Sequence, residues 1–163
     1  MRTVIQRVAR ASVSVDGKVV GSISRGLLAL VGCEARDTDK DAAWTADKIA
    51  NLRVFEDQEG KMNLAVRDLT PPPLPAGEVA EPREAGGGMP GILVIPNFTV
   101  AGDAQKGRRP GFDNAMRPEL AAPMFDRVGD LIAATGLHVE RGVFRAPVLP
   151  AWDGQAVTHS LLF

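Results

Sequence analysis

Residues 27–31, Leu-Leu-Ala-Leu-Val, and 92–95, Ile-Leu-Val-Ile, are apolar without interruption. Runs this short are strand length, and a strand with no polar alternation has to be covered on both faces. Both are therefore expected as central, buried strands. The second stops at Pro96-Asn97-Phe98-Thr99, passes through a short glycine-containing turn, and reaches a basic cluster of Lys106, Arg108 and Arg109 closed by Pro110. Such a strand brings Phe98 and Thr99 to the sheet edge beside positive charge. That juxtaposition suits a small acyl group carried on a polyanion.

The elements around these runs follow from local pattern. Residues 3–15 and 18–24 carry β-branched residues in a broken alternation about Asp16-Gly17, a strong hairpin signal. Thr38 is placed to cap a helix running to about Leu52, with Asp41 three residues on as its capping-box partner. Ala42, Ala46, Ile49 and Ala50 lie close to one stripe, which should pack on the sheet. Residues 53–55 and 61–66 read as short strands around a turn at 57–60. Pro118 suits the first turn of a second helix. In it Ala121, Met124 or Phe125, Val128 and Leu131 or Ile132 recur at helical spacing, and Gly136 can close it. Strands are expected at 137–145 and 156–163. With no internal repeat, 1–163 reads as a single domain. Residues 69–90 stand apart, with six of the twelve prolines and Gly86-Gly87-Gly88. Such a segment buries too little apolar surface to offset its ordering entropy, so it reads as a loop insertion.

Composition narrows the chemistry. Cys33 is the one cysteine, so an intrachain disulfide is excluded, and its apolar surroundings mark it as a buried small hydrophobe. His138 and His159 with that cysteine give no metal-ligand spacing, and neither a metal nor another cofactor is expected. There is no GxSxG and no Ser-His-Asp or Cys-His constellation. The formal net charge of −1 provides no global field for nucleic acid. RNA contact must come from local basic residues: Arg7 and Arg10, the 106–109 cluster, and Arg141 with Arg145. Taken singly, each reads better as a solvated surface charge. No apolar leader or membrane-length run occurs, so a cytoplasmic protein with no membrane partner is expected.

The 91–112 segment resembles one family, the D-aminoacyl-tRNA deacylases. Their pattern there is a strand, then Ser-Gln-Phe-Thr-Leu, then Lys/Arg-Gly-x-Arg-Pro-x-Phe. Phe98, Thr99, Gly107, Arg109, Pro110 and Phe112 match it. Ile5-Gln6-Arg7-Val8, Ala11-Ser12-Val13, Gly26-Leu27-Leu28, Gly60-Lys61-Met62-Asn63-Leu64, Gly142-x-Phe144 and Val157-Thr158 also fall where the family has related residues. The resemblance implies an α/β fold class: one β-rich domain of mixed and antiparallel sheets with two packed helices, assembled as a homodimer. It implies an aminoacyl-tRNA deacylase, a carboxylic ester hydrolase without cofactor. Its reaction is hydrolysis of the ester of mischarged D-aminoacyl-tRNA, releasing free amino acid and tRNA in translation proofreading. Two alternatives stay open. One is a deacylase of relaxed specificity acting on glycyl- or misacylated L-aminoacyl-tRNA. The other is a non-catalytic RNA- or amino-acid-binding module on the same fold.

The resemblance also implies roles. Thr99 and Phe98 are the catalytic positions, with their backbone N–H groups facing the ester carbonyl and the Thr99 hydroxyl within reach. Pro96, Asn97, Gln155, Ala156 and Met62 contact the substrate, and Lys106, Arg108, Arg109 and Arg7 contact tRNA. Two departures stand out. Pro96 replaces the family serine and resembles a sister group of animal-type deacylases acting on misacylated L-alanyl-tRNA. At the C-terminus the family carries Asn-Asp-Gly-Pro-Val-Thr, whose cis Gly-Pro reaches across the dimer and rejects L-amino acids. This chain has Gln155-Ala156 before Val157-Thr158. A cis bond without proline costs about 2.5–4 kcal/mol, so a trans loop is expected there.

Overall fold

The computed structural model describes residues 1–69, 89–105, 108–144 and the backbone of 149–151 and 161–162. In chain order the elements are β1 (Arg2–Val8), β2 (Ala11–Val15), β3 (Lys18–Ile23), β4 (Gly26–Gly32), α1 (Asp39–Asn51), β5 (Phe55–Glu56) and β6 (Met62–Leu64). Then come β7 (Gly91–Pro96), α2 (Pro118–Ala133), β8 (Val139–Arg141), β9 (Leu149–Ala151) and β10 (Leu161–Leu162). Short 3-10 turns span Val66–Leu69 and Phe98–Ala101. One sheet has the strand order β10-β1-β4-β7-β8, a second β3-β2-β9, and β5 pairs with β6 alone.

The two apolar runs are adjacent central strands. β4 and β7 pair in parallel, Gly26 opposite Gly91 through Val31 opposite Pro96. Their alternation divides the core in two. Leu27, Ala29, Val31, Ile92 and Val94 join Ala42, Ala46 and Ile49 of α1 and Ala121, Phe125, Val128 and Ile132 of α2. Leu28, Leu93 and Ile95 join Val8, Ala11, Val13 and Ile23, with Leu30 packed on them. The five-stranded sheet is thus covered by helices on one face and by the β3-β2-β9 sheet on the other. Parallel neighbours need long crossovers, and α1 and α2 lie in the β4–β7 and β7–β8 connections.

Local signals account for most boundaries. Asp16 and Gly17 both take positive φ, 50° and 76°, which is the twist a tight two-residue hairpin requires. Thr38 gives both its N–H and its hydroxyl to the Asp41 carboxylate, at 2.8 and 2.7 Å, and α1 starts there. Pro118 sits in the first turn of α2, and Gly136 follows the helix with φ 86°. Pro123 lies inside α2 without ending it, close enough to the start that only an early ladder bond is lost.

The differences are also physical. The strand expected over 3–15 divides after Val8, because the chain leaves the five-stranded sheet for the second one. Residues 65 and 66 leave the expected 61–66 strand, Val66 to open the 3-10 turn. β8 is shorter than the expected 137–145. β9, an edge strand on β2, carries Pro150 and was hidden by it. Of the strand expected at 156–163, β10 is described, and the inserted loop lies outside the described residues except at Leu69, Met89 and Pro90.

Leu93 is fully buried between the sheets. Leu93→Ala is expected to lower unfolding stability by about 2–5 kcal/mol, whereas Val19→Ala, at a side chain 63% exposed, should change it by less than about 0.5 kcal/mol. Urea denaturation of the two variants checks this.

Candidate functional site

Ligand sites in parallel sheets form beyond the carboxyl ends of the strands, and here β4 and β7 end side by side. Pro96 closes β7, and the Asn97 N–H donates to the Val31 carbonyl at 2.8 Å. The chain then turns through Phe98–Ala101, with Ala101 buried and Phe98 and Thr99 exposed. Gly32 is what lets this turn lie against β4. A Cβ there would stand 2.5 Å from the Val100 Cγ2 and 2.9 Å from the Asn97 carbonyl oxygen.

The turn is capped from within. The Asn97 side-chain oxygen accepts the Thr99 N–H at 2.9 Å and also the Thr99 hydroxyl proton. The Thr99 N–H, expected to face the ester, is therefore already occupied, while the Phe98 N–H stands at the first position, where no intrahelical carbonyl accepts it. The expectation of two open backbone donors becomes one. Asn97 is the feature the sequence reading underused: an Asx residue two positions before a threonine N–H is a recognisable turn signal.

The basic loop is tied to this turn. Asp103 and Gly111 exchange two backbone hydrogen bonds of 2.8 Å, which close the stem of residues 104–110. Phe112 then returns onto Phe98, ring centroids 5.3 Å apart at 65°. Gly102 fits beneath it, since a Cβ there would meet the Phe112 ring at 2.9 Å. Arg108 and Arg109 are exposed at the loop; Lys106 lies outside the described residues. The loop leaves along the end of β4, where Met116 N–H reaches Cys33 O at 2.9 Å and Ala35 N–H reaches Asn114 O at 2.8 Å. Arg2 adds a tie from β1, on Glu34 at 3.1 Å and on the Gly102 carbonyl at 3.3 Å.

Other expected residues fall elsewhere. Arg7 does not reach this surface: it is 9% exposed, donates to the Val54 carbonyl at 2.8 Å and faces Glu56 at 3.6 Å, so it braces the β5 segment from inside. Met62 is exposed on the β5-β6 hairpin. That hairpin is held by Asp57, whose carboxyl stays below the usual range because the Asn63 amide and the N–H groups of Lys61 and Glu59 donate to it. Gln155 and Ala156 lie outside the described residues, as does His159. His138 adjoins Gly91, at the opposite end of β7 from Phe98, roughly 20 Å away by the rise of a strand. Cys33 lies beneath the site but is 6% exposed, and burial, with the Asp37 charge, pushes its thiol up to about 11. Among the described residues no group of three or more His, Cys, Asp or Glu is placed to hold a metal ion, and no helix is long and apolar enough to cross a membrane.

The sequence model of the family described as D-Tyr-tRNA(Tyr) deacylase matches residues 4–76 and 83–149. Among curated relatives, a D-aminoacyl-tRNA deacylase of Geobacter metallireducens is 44% identical over 146 residues, 90% of this chain and 84% of that protein. One from Anaeromyxobacter dehalogenans is 47% identical, over 90% of this chain and 85% of that protein. Among solved structures, a c-Myc DNA unwinding element binding protein superposes with a TM-score of 0.78 at 32% identity, covering 99% of this chain and 97% of that one. A probable eukaryotic D-amino acid tRNA deacylase does so with a TM-score of 0.73 at 16% identity, covering 99% and 98%, and shares the fold.

Gly32→Ala is expected to push the Phe98–Ala101 turn off the end of β4. Folded protein should remain, by circular dichroism, with turnover of substrate at this turn falling at least tenfold, since misplacements of an ångström have that effect or more.

Proposed function

We propose the reaction from the family: the chain belongs to the D-Tyr-tRNA(Tyr) deacylase family, and it is an ester hydrolase acting on D-aminoacyl-tRNA. Water adds to the ester carbonyl carbon, the bond to the terminal ribose oxygen breaks, and free D-amino acid and tRNA are released. The ester is already activated, so orientation and a donor for the developing oxyanion supply most of the acceleration. The observation that carries this reading is the exposed Phe98-Thr99 turn at the paired ends of β4 and β7, where the Phe98 N–H has no acceptor among the described residues. In it Phe98 and Thr99 line the ester, and Pro96 and Asn97 border the acyl group. The Phe98 ring, 61% exposed and braced by Phe112, offers a face to the terminal base.

Three further parts belong to this proposal. Arg108 and Arg109, with Lys106, hold phosphate. A homodimer completes the pocket, with Gln155 and Ala156 and with Met62 as substrate contacts. The place of work is the cytoplasm, where charged tRNA is used. A second reading, relaxed chirality, is favoured by Gln155-Ala156: residues 152–158 contain no proline, so the segment lacks the X-Pro bond that makes a cis peptide accessible.

The test is release of amino acid from matched D- and L-aminoacyl-tRNAs. D-forms should be hydrolysed, and with a smaller D-to-L ratio than in a variant carrying Gly-Pro at 155–156. No release from any D-form would leave the non-catalytic module. Arg108→Ala with Arg109→Ala should weaken tRNA binding and flatten its log–log salt dependence by about one to two units. An unchanged slope assigns both to a solvated face.

A further inference from the structure

The loop that carries Arg108, Arg109 and Phe112 leaves at Gly102 and comes back along the end of β4 at Ala115. One side chain spans both of its ends. Arg2, at the start of β1, lies opposite Gly32 in the ladder. Its Nη1 donates to the Gly102 carbonyl at 3.3 Å, and its Nε faces the Glu34 carboxylate at 3.1 Å. Gly102 is the junction at the loop's entry. Its N–H returns to the Thr99 carbonyl at 3.1 Å, and the next residue, Asp103, opens the stem with Gly111. Glu34 marks the exit, since it bridges to Ala115. Its other carboxylate oxygen takes the Met1 ammonium at 3.3 Å. A guanidinium is planar, so an acceptor held at Nε fixes the direction in which Nη1 points. The entry and exit of the loop are thus set against each other by one rigid group on a strand that belongs to neither.

We propose that Arg2 is a positioning residue that couples the basic loop to the site, so that phosphate held at the loop brings the ester into register with the reacting groups. This rests on the ester-hydrolase reading above and on the loop's hold on phosphate. Binding energy from a remote part of a substrate speeds its reaction only where the remote contact and the reacting groups keep a fixed relation. Here the backbone passes from site to stem through one glycine, whose wide conformational range lets a small rotation swing the stem. Arg2 opposes that rotation by holding the Gly102 carbonyl from β1. Its partner Glu34 sits on the segment to which the loop returns. Arg2 acts through Gly102 and needs no contact with the ester itself.

The test compares two probes. One is D-tyrosyl-tRNA; the other is the D-tyrosyl ester of adenosine, which keeps the ester and the terminal base but offers the loop no phosphate. Arg2→Ala should stay folded, with a melting temperature within a few degrees, because the side chain is 38% exposed. kcat for D-tyrosyl-tRNA should fall about tenfold or more, as a small misplacement costs, with KM changed less than about threefold because Arg108 and Arg109 still meet phosphate. kcat/KM for the adenosine ester should change less than about threefold, since no loop contact is there to be coupled. Glu34→Gln keeps the backbone bridge to Ala115 and removes the charge that orients the guanidinium. It should show the same split at smaller size, and it decides the matter where Arg2→Ala does not fold. An equal loss on both probes makes Arg2 a general brace and overturns the coupling, as does no loss on either. Equal kcat/KM for the two probes in the unmodified chain also overturns it, while the ester-hydrolase reading stands. No turnover of either probe overturns that reading, and this role with it.

Discussion

The parallel pairing of β4 with β7 is the constraint on which the rest of the molecule depends. Both strands lack polar alternation, so water must be excluded from both faces. Antiparallel neighbours can leave one face wet; a parallel pair at the centre of a sheet cannot. The demand is met by helices on one side and a second sheet on the other. The two backbones approach closely at their starts, where Gly26 faces Gly91 and a Cβ on either would collide with a neighbouring carbonyl. Each layer is thus present because one of two faces of these strands required it.

The same pairing decides where chemistry can occur. Two parallel strands ending together leave backbone groups with no sheet partner at one edge. Here one of them is used at once, Asn97 N–H on Val31 O, and it fixes the angle at which the chain turns. Gly32 removes the side chain that would hold the turn away. The following loop is zipped to the end of β4 through Cys33, Ala35 and Glu34. Precision at Phe98 and Thr99 therefore comes from backbone hydrogen bonds and close glycine contacts, joined by the short Asn97 side-chain cap and the Phe112 ring.

Much of this was legible beforehand. The two runs, the Asp16-Gly17 hairpin, the Thr38–Asp41 cap and the Pro118 start each carry a local signal, and each is found. The position of the Phe98-Thr99 turn followed from the strand that delivers it. What was not legible depends on tertiary pairing. β9 contains a proline and reads as coil until β2 offers it an edge. Arg7 reads as a surface cation because nothing local shows that Val54 and Glu56 will close around it. Asn97 reads as a substitution in a motif, yet the distances show a cap that redirects the neighbouring N–H.

The surrounding groups also explain why so bare a site is workable. A buried cysteine beneath the turn is a nucleophile on paper, but a thiol near 11 is ionised to about one part in ten thousand at neutral pH. The histidine among the described residues stands at the far end of β7. Arg108 and Arg109 of the neighbouring loop are exposed guanidinium groups, planar multiple donors rather than proton-transfer groups. What remains at the turn is a set of fixed donors whose charge state does not vary with pH. Such a set discriminates poorly among side chains, because it touches the ester rather than the amino acid. On the proposed reading, selectivity between mirror images is then supplied by groups on the other side of the acyl group rather than by this turn.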